Sequence, residues 1–227
     1  MGQSSGIGVL DKAVGVLRAA AGAPCGLTEL VERTGLPRAT AHRLAVGLEV
    51  HRLLERDPDG RWRPGPALAE MAHGHHDPLL TAAEDVLPTL RDLTGESVQL
   101  YRREGDSRVC VAVAEPASGL RDTVPVGVRL PLTAGSGAKV LMAWSDEAPG
   151  AFDPDLLAEI RRRGWAQSVA EREQGVASVS APVRGSDGAV VAAVSVSGPV
   201  ERIGRRPGSR WANDLLAAAR ALEKALA

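Results

Sequence analysis

Between Arg33 and Arg63 the chain holds seven cations, all arginine, against four acids. A guanidinium presents a rigid fork of donors that grips a phosphate, or the edge of a guanine, through two parallel hydrogen bonds. The stretch therefore points to nucleic acid, with a solvated helix face as the alternative reading of the same charges. A second set of residues is chemically milder. Ser195 and Ser197 are two positions apart, so on a strand their hydroxyls share a face and could address one ligand. Ser178 lies before the turn "GSDG" (Gly185–Gly188), which would pair its strand with theirs. "TAGSG" (Thr133–Gly137) precedes a helical pattern, and the free N–H groups of a helix start could hold a carboxylate or carbonyl oxygen. The alternative for these serines is that they satisfy nearby backbone at turns and strand ends.

Other reactive residues form no convincing centre. His73, His75 and His76 suggest a metal, but no further His or Cys lies nearby at ligand spacing, and a solvated linker is expected. Gly2-Gln3-Ser4-Ser5-Gly6 spells G-x-S-x-G without the strand that a nucleophile elbow needs. "GSGAK" lacks the spacing and ending of a phosphate loop. Glu171 and Glu173, split by Arg172 in an expected loop, make no acid/base pair, and Cys110 in an apolar strand reads as a small core residue. Cys25 and Cys110 are far apart with no CxxC pairing, which suits reduced thiols. No catalysis, metal or cofactor is expected.

The elements that would position these residues follow from periodicity. Leu10, Val14, Leu17 and Ala21 recur at helical spacing, and "AGAPCG" ends that helix. Thr28 is the expected N-cap of a second helix through Arg33 that buries Leu30 and Val31. Gly35 suits the left-handed residue past its end, and Pro37 the first turn of a third helix. There Ala41, Leu44 and Leu48 make the buried stripe, and Arg38, Thr40, His42 and Arg43 fall largely off it. "ERDPDGRWRPG" then reads as a hairpin carrying Arg61 and Arg63. Helix, tight turn, helix and hairpin make a winged helix-turn-helix, whose second helix enters the major groove. Arg38, Thr40 and Arg43 would meet base edges or phosphates, Ala39 would allow close approach, and Arg61 and Arg63 would reach the flanking backbone or minor groove.

Beyond it, "PALAEMAHG" and "PLLTAAEDVLPTLRDLTGE" read as helices. "SVQLYRR", "RVCVAVAE", "DTVPVGVRLPL", "SVSAPVRG" and "GAVVAAVSVSG" read as strands. Further helices are expected near Gly137–Trp144, Pro154–Arg163 and over "WANDLLAAARALEKALA". An antiparallel sheet flanked by helices makes this half α+β.

A hydrophobic content of 44% and a net charge of -1 describe an ordinary globular protein, so any DNA footprint must be local. Aromatics at 3% leave the cores to Ala, Val and Leu. Residues 1–74 hold nine Lys and Arg against eight acids, and the remainder 18 against 20. No leader pattern opens the chain and no run of about 18 apolar residues spans a bilayer, so a cytoplasmic protein without membrane contact is expected.

"GVLDKAVGVLRAA", "LTELVERTGLPRATAHRLAVGLEVHRLL" and "RDPDGRWRPGPALAEMA", followed by "LPLTAGSGAKVLMAW", "GVASVSAPV" and "AVVAAVSVSGPVERI", resemble the IclR family of bacterial transcription regulators in order and spacing. Trp62 stands where Tyr is usual there, Pro64 where Leu is usual, and Ala39 where Ser is common. The resemblance implies a GAF-like effector-binding domain in the second half. It implies ligand-contacting positions at Gly135, Ser136, Val176, Ser178, Ser195 and Ser197, with another, sometimes acidic, at Ser168. Relatives that bind small oxo-acids often carry Cys at the Ser178 position. More narrowly, "ESVQLYRREGD" and "GLRDTVPVG" resemble an actinobacterial subgroup associated with amino-acid metabolism.

The expectation is a DNA-binding domain over 1–66, a linker helix and junction over 67–77, and an effector-binding and oligomerisation domain over 78–227. The partners would be a double-stranded operator, a small-molecule effector such as a carboxylate or amino-acid-related metabolite, and further copies in a homodimer or tetramer. Two alternatives stand beside it. One is an architectural DNA-binding protein whose second domain only oligomerises, and the other is an enzyme-like metabolite-binding module.

Overall fold

The computed structural model describes residues 5–72, 77–145 and 150–227, and the chain divides into two units, Met1–His76 and Asp77–Ala227. His73, His75 and His76, and most of the Gly2–Gly6 pattern, lie outside the described residues.

The first unit runs α1 (Gly8–Gly22), α2 (Leu27–Thr34), α3 (Arg38–Val50), β1 (Leu54–Arg56), β2 (Trp62–Pro64) and α4 (Pro66–Ala72). Gly35 takes φ 66°, ψ 11° after α2, and its N–H closes on the Val31 carbonyl at 2.8 Å. A side chain there would clash with its own backbone, so glycine makes the tight turn into α3. Pro37 sits one position outside α3, and its carbonyl accepts from the N–H groups of Thr40 and Ala41. Gly26, not Thr28, precedes α2, and the Gly26 N–H donates to the Glu29 carboxylate at 2.8 Å. Glu29 supplies an acceptor that reaches back over the helix start, which frees Thr28 from capping.

The core of this unit is Val16, Ala20, Cys25, Leu30, Ala41, Ala45, Leu54 and Trp62. Alanines on α1 and α3 let these helices approach, and Trp62 fills the remaining volume from β2. The expected face of α1 is rotated. Val16 and Ala20 are buried, whereas Leu10 and Val14 are 48% and 37% exposed and Ala21 lies in solvent. Leu44 and Leu48 of α3 are half-buried beside fully buried Ala41 and Ala45. The hairpin pairs Leu54 with Pro64 and Arg56 with Trp62, across a turn in which Gly60 N–H meets the Asp57 carbonyl at 2.9 Å.

The second unit opens with α5 (Pro78–Thr94), capped by the Asp77 carboxylate on Leu79 N–H at 3.1 Å and ended by Gly95 in the left-handed region. The remaining elements are β3 (Ser97–Glu104), β4 (Ser107–Ala114), β5 (Arg129–Pro131), α6 (Ser136–Ala143), α7 (Pro154–Arg163), β6 (Ala166–Val169), β7 (Val176–Arg184), β8 (Val190–Pro199), α8 (Val200–Ile203) and α9 (Pro207–Glu223), with a 3-10 turn over Lys224–Leu226. The six strands form one antiparallel sheet in the order β5-β4-β3-β8-β7-β6.

Alternation gives this sheet two unlike faces. Val98, Leu100, Val179, Ala181, Val194 and Val196 cluster with Leu79, Leu87 and Leu90 of α5 and Trp211, Leu215 and Leu222 of α9. The opposite face carries Gln99, Ser180 and Ser195 in one row and Ser168, Ser178, Ser197 and Ser97 in the next. Buried α6 covers part of that face, and Gly137 brings it close, since a Cβ there would stand 3.4 Å from the Ser195 hydroxyl and the Tyr101 ring.

The whole chain is α+β, a helix-turn-helix unit followed by an antiparallel sheet with helices. Of the expected strand "DTVPVGVRLPL" only Arg129–Pro131 forms a regular strand, although Gly127 N–H and the Val128 carbonyl still hydrogen-bond Cys110 of β4, because Pro125 and Gly127 interrupt the run. β6 and α8 are too short for a periodic signal, and α9 begins at Pro207, ahead of the expected Trp211.

Candidate DNA-reading head and effector cavity

On α3 the residues expected at DNA diverge in availability. Arg38 and Arg43 are exposed, and Arg43 makes no hydrogen bond or ion pair among the described residues. Among the described residues Arg38 makes only a long contact, 3.4 Å, to the Thr28 hydroxyl. Thr40 is half-buried, and exposed His42 lies edge-on to Trp62 at 5.9 Å between ring centres. The hairpin arginines are occupied. Arg61 donates to the Pro24 carbonyl at 2.8 Å and to both Glu29 oxygens at 3.1 Å. Arg63 holds Glu55 at 2.8 Å. DNA contact by either would exchange an intramolecular acceptor for a phosphate. Glu29 is kept ionised by the Gly26 N–H first and by Arg61 and Arg33 after it, which hold its carboxyl below the usual range.

Glu49, which periodicity did not single out, ties the hairpin to α3. Its carboxylate accepts from the Trp62 indole N–H at 3.1 Å and from Arg56 Nε at 3.2 Å, while the Arg56 guanidinium stacks 4.2 Å over the Trp62 ring. The helix that would read bases and the hairpin beside it thus share one acid.

In the second unit Gly135, Ser136, Val176, Ser178, Ser195, Ser197 and Ser168 all line one cavity between the polar sheet face and the start of α6. It encloses about 380 Å³ of atom-free space, part of it open to solvent. The hydroxyls are linked. Ser136 Oγ lies 2.7 Å from both Ser178 and Ser180 Oγ, Ser180 bonds Ser195, and Ser197 donates to Gln99 Oε1 at 3.1 Å. Gly135 N–H is not free for a ligand. Glu171 accepts it at 3.3 Å and pairs with Lys139, whose ammonium also reaches the Gln167 carbonyl at 3.0 Å. A protein carboxylate thus occupies the place where the helix start was expected to hold one.

Six wall residues were not expected there from the sequence: Gln99, Tyr101, Arg108, Asp122, Arg172 and Glu173. Arg172 grips Asp122 through both oxygens, at 2.9 and 3.1 Å. Arg108 is 3% exposed, and its Nη1 donates to the Pro131 and Ala134 carbonyls at 2.6 and 3.0 Å. Burial pulls the Arg108 pKa below its ordinary value and pushes that of the Tyr101 phenol beside it up. Among the described residues no cluster of three or more His, Cys, Asp or Glu is placed to hold a metal. No helix among them is long and apolar enough to cross a membrane.

Residues 9–58 match the IclR helix-turn-helix domain. Residues 71–151 and 154–224 match the family described as bacterial transcriptional regulator IclR C-terminal. The chain belongs to the IclR family. Among IclR-type relatives, the HTH-type transcriptional regulator BhcR of Paracoccus denitrificans (strain Pd 1222) is 30% identical, over 99% of this chain and 89% of its own. XynR, an HTH-type transcriptional regulator of Escherichia coli (strain K12), is 29% identical over 88% of each chain. A solved IclR transcriptional regulator from Alicyclobacillus acidocaldarius shares the fold, with a TM-score of 0.81 at 23% identity over 97% of this chain and 99% of that one. The protein is a DNA-binding transcription regulator of the IclR family, not an enzyme.

Proposed function

We propose that this protein is a cytoplasmic regulator of metabolic genes whose hold on its operator is set by a small polar metabolite in the sheet–α6 cavity. α3 lies in the major groove with Arg38, Thr40, His42 and Arg43 at base edges and phosphates, and Arg61 and Arg63 flank it on the backbone. Arg43, exposed and without a partner among the described residues, supports this placement. A homodimer, or a dimer of dimers, would set two such helices on half-sites of a roughly palindromic operator. The exposed apolar side chains of Val9, Leu10 and Val14 on α1 support contact with a second copy. Amino-acid metabolism is the gene class we favour.

The observation that carries the sensor reading is the convergence of seven residues from α6, β6, β7 and β8 and the loop before α6 on one cavity. A purely architectural protein has no use for a polar, hydroxyl-lined hole inside its second unit, because burying polar groups costs stability. The ligand can act only by binding more tightly to one arrangement of the DNA-reading heads than to another.

The DNA half is tested by Arg43→Ala in a gel-shift assay with the DNA upstream of this gene and its neighbours. Binding should fall by about 1–3 kcal/mol, with circular dichroism and oligomeric state unchanged. Unaltered binding would remove α3 as the reading helix.

A further inference from the structure

The cavity in the second unit is nearly full as the chain builds it. Of its 380 Å³ of atom-free space, the part in which the centre of a water can stand is about 30 Å³. That holds roughly two or three waters. A metabolite with more atoms than that enters only if part of the wall moves.

The part built to move is the connection between β4 and β5, residues 115–128. A connection longer than about 12 residues without regular structure is uncommon, and such segments often serve as lids. Among the described residues, 116–124 make no hydrogen bond to another backbone group, and the first such bonds in the connection involve Pro125, Gly127 and Val128. Side chains from other elements hold its middle instead. Arg202 of α8 donates to the Leu120 carbonyl at 2.7 Å, and Arg172, in the loop between β6 and β7, grips Asp122 through both oxygens. The Asp122 side chain is 7% exposed and that of Arg172 26%.

The Arg172 side of this pair is the fixed one. Its loop is pinned to α6 by Glu171, which holds Lys139 and the Gly135 N–H, and to α8 by the Val200 N–H on the Gly175 carbonyl at 2.7 Å. Beyond the pair lies an open cleft with about 910 Å³ of atom-free space, lined by Leu120, Arg121 and Thr123 of the same connection. Asp122, Glu173 and Val176 border both the cleft and the cavity, so the ion pair stands in the partition between them. An ion pair suits a latch, because both charges regain water when they part.

We infer that residues 115–128 are a strap over the cavity mouth, latched by the Arg172–Asp122 ion pair, and that the effector enters from the outer cleft when the pair opens. This rests on the reading of the cavity as the effector site and says how that site is reached.

The test needs no effector. Ser197 lines the cavity and is 4% exposed, so a cysteine there reports when the strap opens. The full-length Ser197→Cys protein is treated with methyl methanethiosulfonate. Modification of that position is timed by peptide mass spectrometry, which separates it from buried Cys25 and Cys110. Adding Arg172→Gln or Asp122→Asn should raise the rate about tenfold or more, since each breaks a charge-assisted, two-point grip. Arg172→Lys, which keeps the charge and loses the fork, should fall between. Asp77→Ala, which loosens the same unit at the start of α5, should leave the rate unchanged. Should Ser197→Cys not fold, Ser168→Cys, on the same wall and 5% exposed, serves in its place. Latch variants that label no faster than their parent, or Asp77→Ala that labels as fast as they do, would overturn the strap. A latch that behaves as expected while no metabolite alters operator affinity would leave the strap standing and remove the effector reading. Unchanged labelling together with a metabolite that alters operator affinity would do the reverse.

Discussion

Glu49 takes on two partners at once, since the buried Trp62 indole and the Arg56 guanidinium both end on its carboxylate. Glu49→Ala leaves the indole N–H without its acceptor and should cost about 1–3 kcal/mol in chemical denaturation. Glu49→Gln, which keeps an acceptor, should cost clearly less. Equal losses for the two would mean that the carboxylate only packs against the ring. At this scale the sequence was legible where chemistry is local. The Gly35 turn and the Asp57–Gly60 hairpin each depend on neighbours in the chain. It was mute where partners are distant. Arg61 looked free in the sequence, yet Glu29, more than thirty positions earlier, holds it. The cavity serines were legible through spacing and family resemblance, whereas Gln99, Arg108, Asp122 and Arg172 come from separate segments that only the sheet brings together.

Among the elements, α1 shows why periodicity misleads in an alanine- and valine-rich helix. Two overlapping apolar stripes exist, and the stripe that is buried is decided by the helices packed against it, not by its own spacing. α5 is the opposite case, because its start and stop are written locally as Asp77-Pro78 and Gly95. Asp77 does more than cap. Arg102 hydrogen-bonds its carboxylate and, outweighing partial burial, holds its pKa below the ordinary value of 3.8. A carboxyl with a depressed folded pKa contributes stability above its unfolded pKa and loses it as pH falls through the folded one. Asp77→Ala should therefore destabilise the protein by about 1–2 kcal/mol at pH 7. The gap to wild type should narrow as pH drops below 3.8. A gap that stays constant from pH 7 into that acid range would mean that the Arg102 pair contributes nothing.

For the whole molecule, the chain joins a DNA-reading unit to one whose polar sheet face holds a hydroxyl-lined cavity. The central claim is that occupancy of the second governs the first. Coupling between two sites in one protein is commonly about 1–3 kcal/mol, or roughly 5–150-fold in affinity. Fluorescence anisotropy of the full-length protein on its operator, with and without a small polar metabolite that binds the cavity, measures this coupling directly. The ligand should change the wild-type dissociation constant by about fivefold or more. It should leave that of Ser195→Ala/Ser197→Ala unchanged, while the double variant still binds operator as well as unliganded wild type. Identical wild-type binding curves with the cavity filled and empty would contradict the account.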